Sequence, residues 1–250
     1  MEIISLTERN IDDEHICCAI SDKKCADGVR AKKALIKKLL PAGYRFDKLD
    51  VRGKVFLESV PAEGSWLPVD APGWRVMNCF WVSGSYKGSG WAKALLSGVS
   101  GLGGEAGLVA VTAEKKRPFL SDPKFLKMQG FEIVDRASPD FVLWARPAEG
   151  VAASPPRFLD SARSGRCEDN GGLSVYYSDF CPFTSYWHSE VLAPWAAERG
   201  IPLSLNRIES REQGRSAPVP YINNAVFYRG EYFTSEIKID RLMLKNFGIS

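Results

Sequence analysis

The stretch that decides the fold is Asn78–Leu96, NCFWVSGSYKGSGWAKALL. Residues 78–84 are mostly apolar and bulky, which predicts a buried strand. The strand runs into Tyr86-Lys87-Gly88-Ser89-Gly90, and a helical pattern, GWAKALLSGVSGL, starts at once at Gly90. Glycines let a backbone approach a ligand closely, and the first-turn N–H groups of a helix bind anions, so a pyrophosphate is the natural guest of such a junction. Lys87 adds a positive charge beside it. A dinucleotide fingerprint fits worse, because its third glycine is missing. A P-loop fails as well, since no Gly-Lys-Ser/Thr stands at the required spacing.

Outward from that loop, residues 2–6 read as a short strand and residues 27–40 as a helix with an apolar stripe of Val29, Ala31, Leu35, Leu39 and Leu40, ended by Pro41. Residues 44–51 and 54–61 alternate as strands around a turn at Arg52-Gly53. Beyond the glycine loop come a strand at 107–113, a helix at 122–129 and a strand pair, EIVDRA and DFVLWARP. Helices covering a mixed, mostly antiparallel sheet follow, an α/β (α+β) domain over residues 1–147. Residues 148–172 concentrate Pro, Gly, Ala and Ser and lose apolar periodicity, which predicts a linker. Residues 173–250 form a second domain. A strand, LSVYYSDF, enters Cys181-Pro182-Phe183-Thr184, and a helix interrupted by Pro194 follows. After it come a strand at 202–210, Pro218 and Pro220, the segment NAVFYRGEYF and a terminal helix, DRLMLKNFG.

Bulk properties narrow the function classes. The chain has 250 residues, enough for two modest domains, and its 45% hydrophobic and 25% charged shares are those of a soluble globular protein. A net charge of +3 is too small to argue for nucleic acid. No apolar run reaches membrane-spanning length, and the N-terminus lacks a basic region followed by an apolar one. A cytoplasmic protein is the expectation. The basic residues among positions 23–38 read as a solvated helix face, whereas Lys115-Lys116-Arg117 offers a partner for a phosphate. Six cysteines without a Cys-x-x-Cys pair do not suggest a structural zinc site, and two histidines, His15 and His188, leave little room for a metal-dependent mechanism. His15, Cys17, Cys18 and Cys25 read as packing residues rather than ligands.

The strand, glycine loop and helix resemble the pyrophosphate loop of GNAT acyltransferases, where Arg/Gln-x-x-Gly-x-Gly/Ala joins a strand to a helix. Gly88 and Gly90 take the glycine positions, and Ser85 stands where the family has Arg or Gln. The segment Lys124–Phe131, KFLKMQGF, is similar to the family's late helix ending in Gly-Phe. EHICCAISD (14–22), KLDVRGKVFLESVPAE (48–63) and the appended domain further resemble YoaP-type acetyltransferases. Cys181 at a strand–helix junction, with Pro220 in the place of the cis-proline that faces it and NAVFYRGEYF as the hairpin after that proline, is similar to a small thioredoxin-like domain.

The resemblance implies an N-acetyltransferase that uses acetyl-CoA as cosubstrate, without a metal, on a small amine, amino acid or peptide, with no nucleic acid or membrane partner. The oligomeric state stays open, a homodimer being one arrangement. For coenzyme A it implies contacts from Phe80, Trp81, Val82, Lys87, Gly88, Ser89, Gly90, Trp91, Ser121 and Phe125, with Val82 N–H as the oxyanion donor. The late-helix tyrosine that many members use as acid is absent, with Leu126 in its place, so Tyr86, Ser121 or water remain as proton donors. Glu58, which interrupts the apolar strand VFLESV, is the first candidate base and Glu63 the second. Thr184 replaces the second cysteine of a dithiol motif, which leaves Cys181 a monothiol or binding role. Two other readings stand beside the transferase: a non-catalytic acyl-CoA or thiol sensor, and a thiol-exchange protein working through Cys181.

Overall fold

The computed structural model describes residues 1–16, 19–100, 102 and 106–238, so the terminal helix expected at DRLMLKNFG and residues Cys17 and Cys18 lie outside the described residues. The chain runs β1 (Ile3–Ser5), α1 (Ala26–Leu39), β2 (Arg45–Leu49), β3 (Val55–Pro61), β4 (Val69–Asp70), β5 (Arg75–Val82), α2 (Trp91–Ser100), β6 (Gly107–Ala113), α3 (Pro123–Met128), β7 (Glu132–Ala137) and β8 (Phe141–Pro147). Seven of these strands form one sheet in the order β1-β2-β3-β5-β6-β8-β7. Its pairs are antiparallel except for β5 with β6.

Alternation along each strand assigns the two faces. Val55 and Leu57 of β3, Leu108 and Ala110 of β6, and Val142 and Trp144 of β8 meet Leu95, Leu96 and Val99 of α2 and Leu126 of α3. Phe56, Val60, Val109, Val111, Phe141 and Leu143 point the other way, toward Leu35, Ile36 and Leu39 of α1. Pro123 and the Asp122 side chain, which accepts the Lys124 N–H, start α3, and Gly130 follows its end at φ +80°.

The segment expected as a linker is a packed strap. It holds β9 (Arg157–Phe158), which pairs antiparallel with β4, and buries Phe158 and Ala162. Beyond it lie β10 (Leu173–Ser178), α4 (Thr184–Tyr186), α5 (Ala193–Glu198), β11 (Leu203–Ile208), α6 (Arg211–Arg215), β12 (Asn224–Tyr228) and β13 (Glu231–Thr234). The second sheet is ordered β11-β10-β12-β13, with β10 and β11 parallel and the other pairs antiparallel. A π-helical stretch, Trp187–Leu192, joins α4 to α5, so the helix passes Pro194 without a break. Sequence reading missed α6, although Ser210 and Gln213 form a capping box at its start. Arg229 (φ +49°) and Gly230 (φ +77°) make the tight turn of the β12–β13 hairpin.

The second sheet lies directly on the first domain, and one apolar core runs through both. Phe180 packs between Tyr44 (centroids 6.0 Å apart) and Trp66 (5.3 Å), and Tyr232 meets Phe141 edge-on at 5.2 Å. Arg117 donates to the Tyr232 hydroxyl at 3.1 Å, and Tyr221 donates to the Phe119 carbonyl at 3.0 Å. The closest approach is at Gly28 of α1, where a Cβ would lie 2.0 Å from the Pro182 carbonyl oxygen. Gly28→Ala therefore forces α1 from the turn after β10. Despite the helix propensity that Ala gains, a net loss of about 1–2 kcal/mol and a lower melting temperature are expected, read by thermal denaturation against a surface Gly98→Ala control, where a Cβ meets nothing within 4 Å.

His188, in the π-helical stretch, is buried and lies against Tyr177. Asn224 spends its Nδ2 on the carbonyls of Ser235 and Glu236, so its Oδ1 accepts from His188 Nε2 at 2.8 Å. Burial lowers the His188 pKa to about 4. The unfolded chain, with an ordinary histidine near 6.5, binds the proton more readily. Stability is therefore full above about pH 6.5 and falls as the pH drops toward about 4, by up to about 3 kcal/mol. Denaturant titrations at about pH 7 and about pH 4.5 should show this loss, and it should shrink in His188→Gln.

Candidate functional site

The sheet opens beside Met77. Strands β5 and β6 pair in parallel only at Arg75–Met77 with Leu108–Ala110, although β5 continues to Val82 and β6 to Ala113. Across β5 the register with β3 slips at the same place: Ser59 opposes Met77, but Glu58 opposes Cys79, which leaves Asn78 as the extra residue of a bulge. A bulge bends its strand and raises the local twist, so the arms of β5 and β6 part from Asn78 onward. The bulge also resets the alternation. Cys79 points to the α1 face, while Phe80 and Val82 turn to the α2 side.

Along the open arm, backbone polar groups face the gap. Ser83 N–H donates to the Lys54 carbonyl at 3.0 Å, so the bonded pairs with β3 include Ser83, Trp81 and Cys79. By antiparallel alternation the N–H and C=O of Phe80 and Val82 point away from β3, toward the missing strand. Sequence reading named Val82 for this edge; Phe80 shares it. The cleft between the arms has a volume of about 320 Å³ including solvent at its mouth, and is lined by Met77–Phe80, Ala110, Val111, the segment 119–121 and Tyr221. Phe125 of α3 stacks on Phe80 at 5.3 Å and walls the α2 side.

At the mouth, residues 83–90 carry Gly84, Gly88 and Gly90 at φ +61°, +77° and +82°. A Cβ at any of the three would meet nothing within 4 Å, so these glycines serve backbone conformation and leave the space above the loop open. Ala94 N–H makes the first helical bond, to Gly90 O at 3.0 Å, which leaves the N–H groups of Trp91, Ala92 and Lys93 without intrahelical partners. Lys87, Gly88, Ser89 and Gly90 are exposed, and Trp91 is half-buried against the α2 core. Trp81 is 37% exposed on the opposite side of its strand.

The candidate acid–base residues are distributed differently from expectation. Glu58 faces α1, fully buried, where Lys32 Nζ bonds its Oε1 at 2.5 Å and Tyr44 donates to Oε2. Its carboxylate is thus enclosed rather than facing the cleft. Lys32 is no part of a solvated face: it lies on the apolar stripe with Gly28, Leu35, Ile36 and Leu39. A lysine on that stripe and a glutamate on the facing strand were the legible signal of a buried pair. Burial, then the Glu58 charge, raises the Tyr44 pKa well above its ordinary value. Glu63 accepts the Gly73 N–H at 2.9 Å near the start of β5, the closed end of the sheet, so it does not reach the cleft. Tyr86 rests its ring over Gly53 beneath the loop, and Ser121 lines the cleft.

Cys181 follows β10 and is half-buried; its neighbour Pro182 abuts α1. The Thr184 hydroxyl, where a dithiol motif has its second sulfur, donates to the carbonyls of Cys181 (2.8 Å) and Ser178 (3.3 Å), which closes the turn. The cis peptide among the described residues is Ser138–Pro139, so Pro220 follows a trans bond and does not take the place of a cis-proline. His15 is tied to the Gly53 carbonyl at 3.0 Å and to Lys48 Nζ at 3.3 Å, a hydrogen-bonded position. Among the described residues no group of three or more His, Cys, Asp or Glu is placed to hold a metal, and no helix is long and apolar enough to cross a membrane.

Three comparisons bear on this arrangement. Residues 202–245 match the YoaP-like family. The chain is 35% identical over 237 residues to a Bacillus subtilis protein described as an uncharacterized N-acetyltransferase, YoaP, covering 94% of this chain and 93% of the relative. Among solved structures, an acetyltransferase from Thermus thermophilus is similar at 20% identity, over 58% of this chain and 96% of its own, with a TM-score of 0.40. The GNAT-family N-acetyltransferase YhbS of Escherichia coli, crystallised in complex with CoA, is similar at 17% identity over 64% and 89%, with a TM-score of 0.35.

Removing one member of the buried pair leaves the other charge stranded. Glu58→Gln should cost about 3–5 kcal/mol of stability, and adding Lys32→Met should recover most of it while the introduced amide still accepts from Tyr44. Urea unfolding of wild type, the single variant and the double variant measures both effects.

Proposed function

We propose, on the premise that this chain belongs to the family of YoaP-type N-acetyltransferases, that it transfers an acetyl group from acetyl-CoA to the nitrogen of a small amine or peptide. The observation that carries the reading is the end of β5–β6 pairing at Met77, which leaves a cleft with an open strand edge on one wall and a glycine loop at its mouth.

The residues fit the donor by chemical type. Phe80 and Val82 offer backbone N–H and C=O to the amides of the donor's arm, much as a strand would. The loop 84–90, the first-turn N–H groups of α2 and Lys87 are matched to a pyrophosphate, and Ser89 and Trp91 border it. Phe125, stacked on Phe80, gives an apolar wall, with Trp81 at the outer rim. An arm lying along this edge from the loop brings its acyl end to Asn78. The amine nitrogen attacks the thioester carbonyl there: a C–N bond forms, the C–S bond breaks, and the proton the nitrogen loses is balanced by the one the thiolate gains. Val82 N–H or its neighbour Phe80 N–H steadies charge developing on the carbonyl oxygen. Of the proton donors, Ser121 is better placed than Tyr86, because it stands in the cleft wall. Glu58 acts on the cleft through Tyr44 rather than as an exposed base. The cytoplasm is the proposed location.

The second domain supports a binding role. Its sheet order and the position of Cys181 support the thioredoxin-like reading, whereas Thr184 and the trans Pro220 remove two parts of a dithiol exchanger. Cys181 is proposed as a thiol- or partner-binding residue.

Calorimetry with acetyl-CoA on wild type and Gly88→Glu tests the donor site. Micromolar binding is expected for wild type, with at least about a tenfold loss in the variant, since the new side chain brings negative charge to an anion site at a position of positive φ. No binding by folded wild type overturns the transferase reading.

A further inference from the structure

Asn78, the bulged residue at the apex of the cleft, has one half of its amide committed and the other half bare. The Tyr44 hydroxyl donates to Glu58, so the hydrogen bond between Tyr44 and Asn78 has Asn78 Nδ2–H as donor and the phenol oxygen as acceptor. Lys32 holds Glu58 in turn. With Lys32 on Glu58 and Glu58 on the Tyr44 hydroxyl, the phenol oxygen is turned to the Asn78 amide nitrogen, and Asn78 Oδ1 is buried with no hydrogen-bond partner. An unpaired buried acceptor is costly and calls for an explanation, and at the wall of a cleft a bound occupant supplies one.

The opposite wall of the cleft is shaped by the second domain. Phe119 sits at φ +65°, a conformation a bulky side chain rarely adopts, and its carbonyl is held by the Tyr221 hydroxyl. Tyr221 itself lines the cleft, so both domains build it. None of the lining residues is Asp, Glu, Lys or Arg.

Resting on the transferase reading above, we propose that Asn78 Oδ1 receives an N–H of the acceptor, and that the acceptor is a primary amine on an uncharged body. A primary amine has two N–H bonds. As its lone pair forms the C–N bond, one proton is lost and the other stays on nitrogen, free to remain bonded to Asn78. A secondary amine has only the N–H that must be lost. A carboxylate on the acceptor would meet no cation in this wall.

Benzylamine, N-methylbenzylamine and phenylalanine serve as probes with the full-length chain and acetyl-CoA, followed by CoA release. Wild type should favour benzylamine over both others by at least about tenfold in kcat/KM. Asn78→Leu and Asn78→Ala should each lose about 10- to 100-fold with benzylamine. With N-methylbenzylamine they should stay within about threefold, and acetyl-CoA affinity should stay within about twofold, which a merely structural role for Asn78 would not produce. Equal losses with both amines, or none, at unchanged donor affinity overturn the role of Asn78 and leave the transferase reading intact. Should both variants fail to fold, the wild-type ratio decides: a ratio near one between the two amines overturns the proposal. Faster turnover of phenylalanine than of benzylamine, or no turnover of benzylamine despite donor binding, overturns the substrate class. Loss of acetyl-CoA binding in wild type overturns the underlying reading instead.

Discussion

Two neighbouring strands that run parallel must either keep pairing or find other partners for their backbone groups. In this chain β5 and β6 cease to pair with each other after Met77 and Ala110, and the bulge at Asn78 turns β5 away. Every feature of the candidate site depends on that divergence. It frees the backbone of Phe80 and Val82, opens the cleft and aims the end of β5 at the glycine loop. A bulge costs ladder hydrogen bonds, and β3 offsets part of that cost by pairing with β5 up to Val82.

The buried Lys32–Glu58 pair belongs to the same construction. Desolvating two charges is expensive, and an apolar pair of similar volume would pack at least as well. Here the pair does something an apolar one would not: it supplies the acceptor for the Tyr44 hydroxyl, whose oxygen then meets the Asn78 amide. Charge placed on the helix α1 thus orients a neutral polar group at the bend of β5.

The second domain is joined to the first through a common core rather than a tether. Phe180 fits between Tyr44 and Trp66, Pro182 presses on Gly28, and Tyr221 holds the strained Phe119 beside the cleft. The strap 148–172 is pinned to the first domain where β9 pairs with β4, and to the second by the bridge between Arg166 and Glu231. The relative with matching coverage of both chains, 94% and 93%, carries the same extent of sequence.

Local sequence determined most of the elements. Short apolar runs bounded by turn residues placed β3, β6, β7 and β8 nearly to the residue, and the strand–glycine loop–helix junction was legible because positive φ demands glycine. Charge misled at Lys32, where composition suggested a solvated face, although its place on the apolar stripe pointed inward. The short α6 was written in Ser210 and Gln213 and overlooked. Which polar residue borders the cleft was decided by tertiary structure alone. Glu58 and Asn78 both interrupt apolar strands, yet the partner rising from α1 encloses the first, and the bulge brings the second to the apex. Strand pairing and its interruption depend on residues far apart in the chain, so no window of sequence carries them.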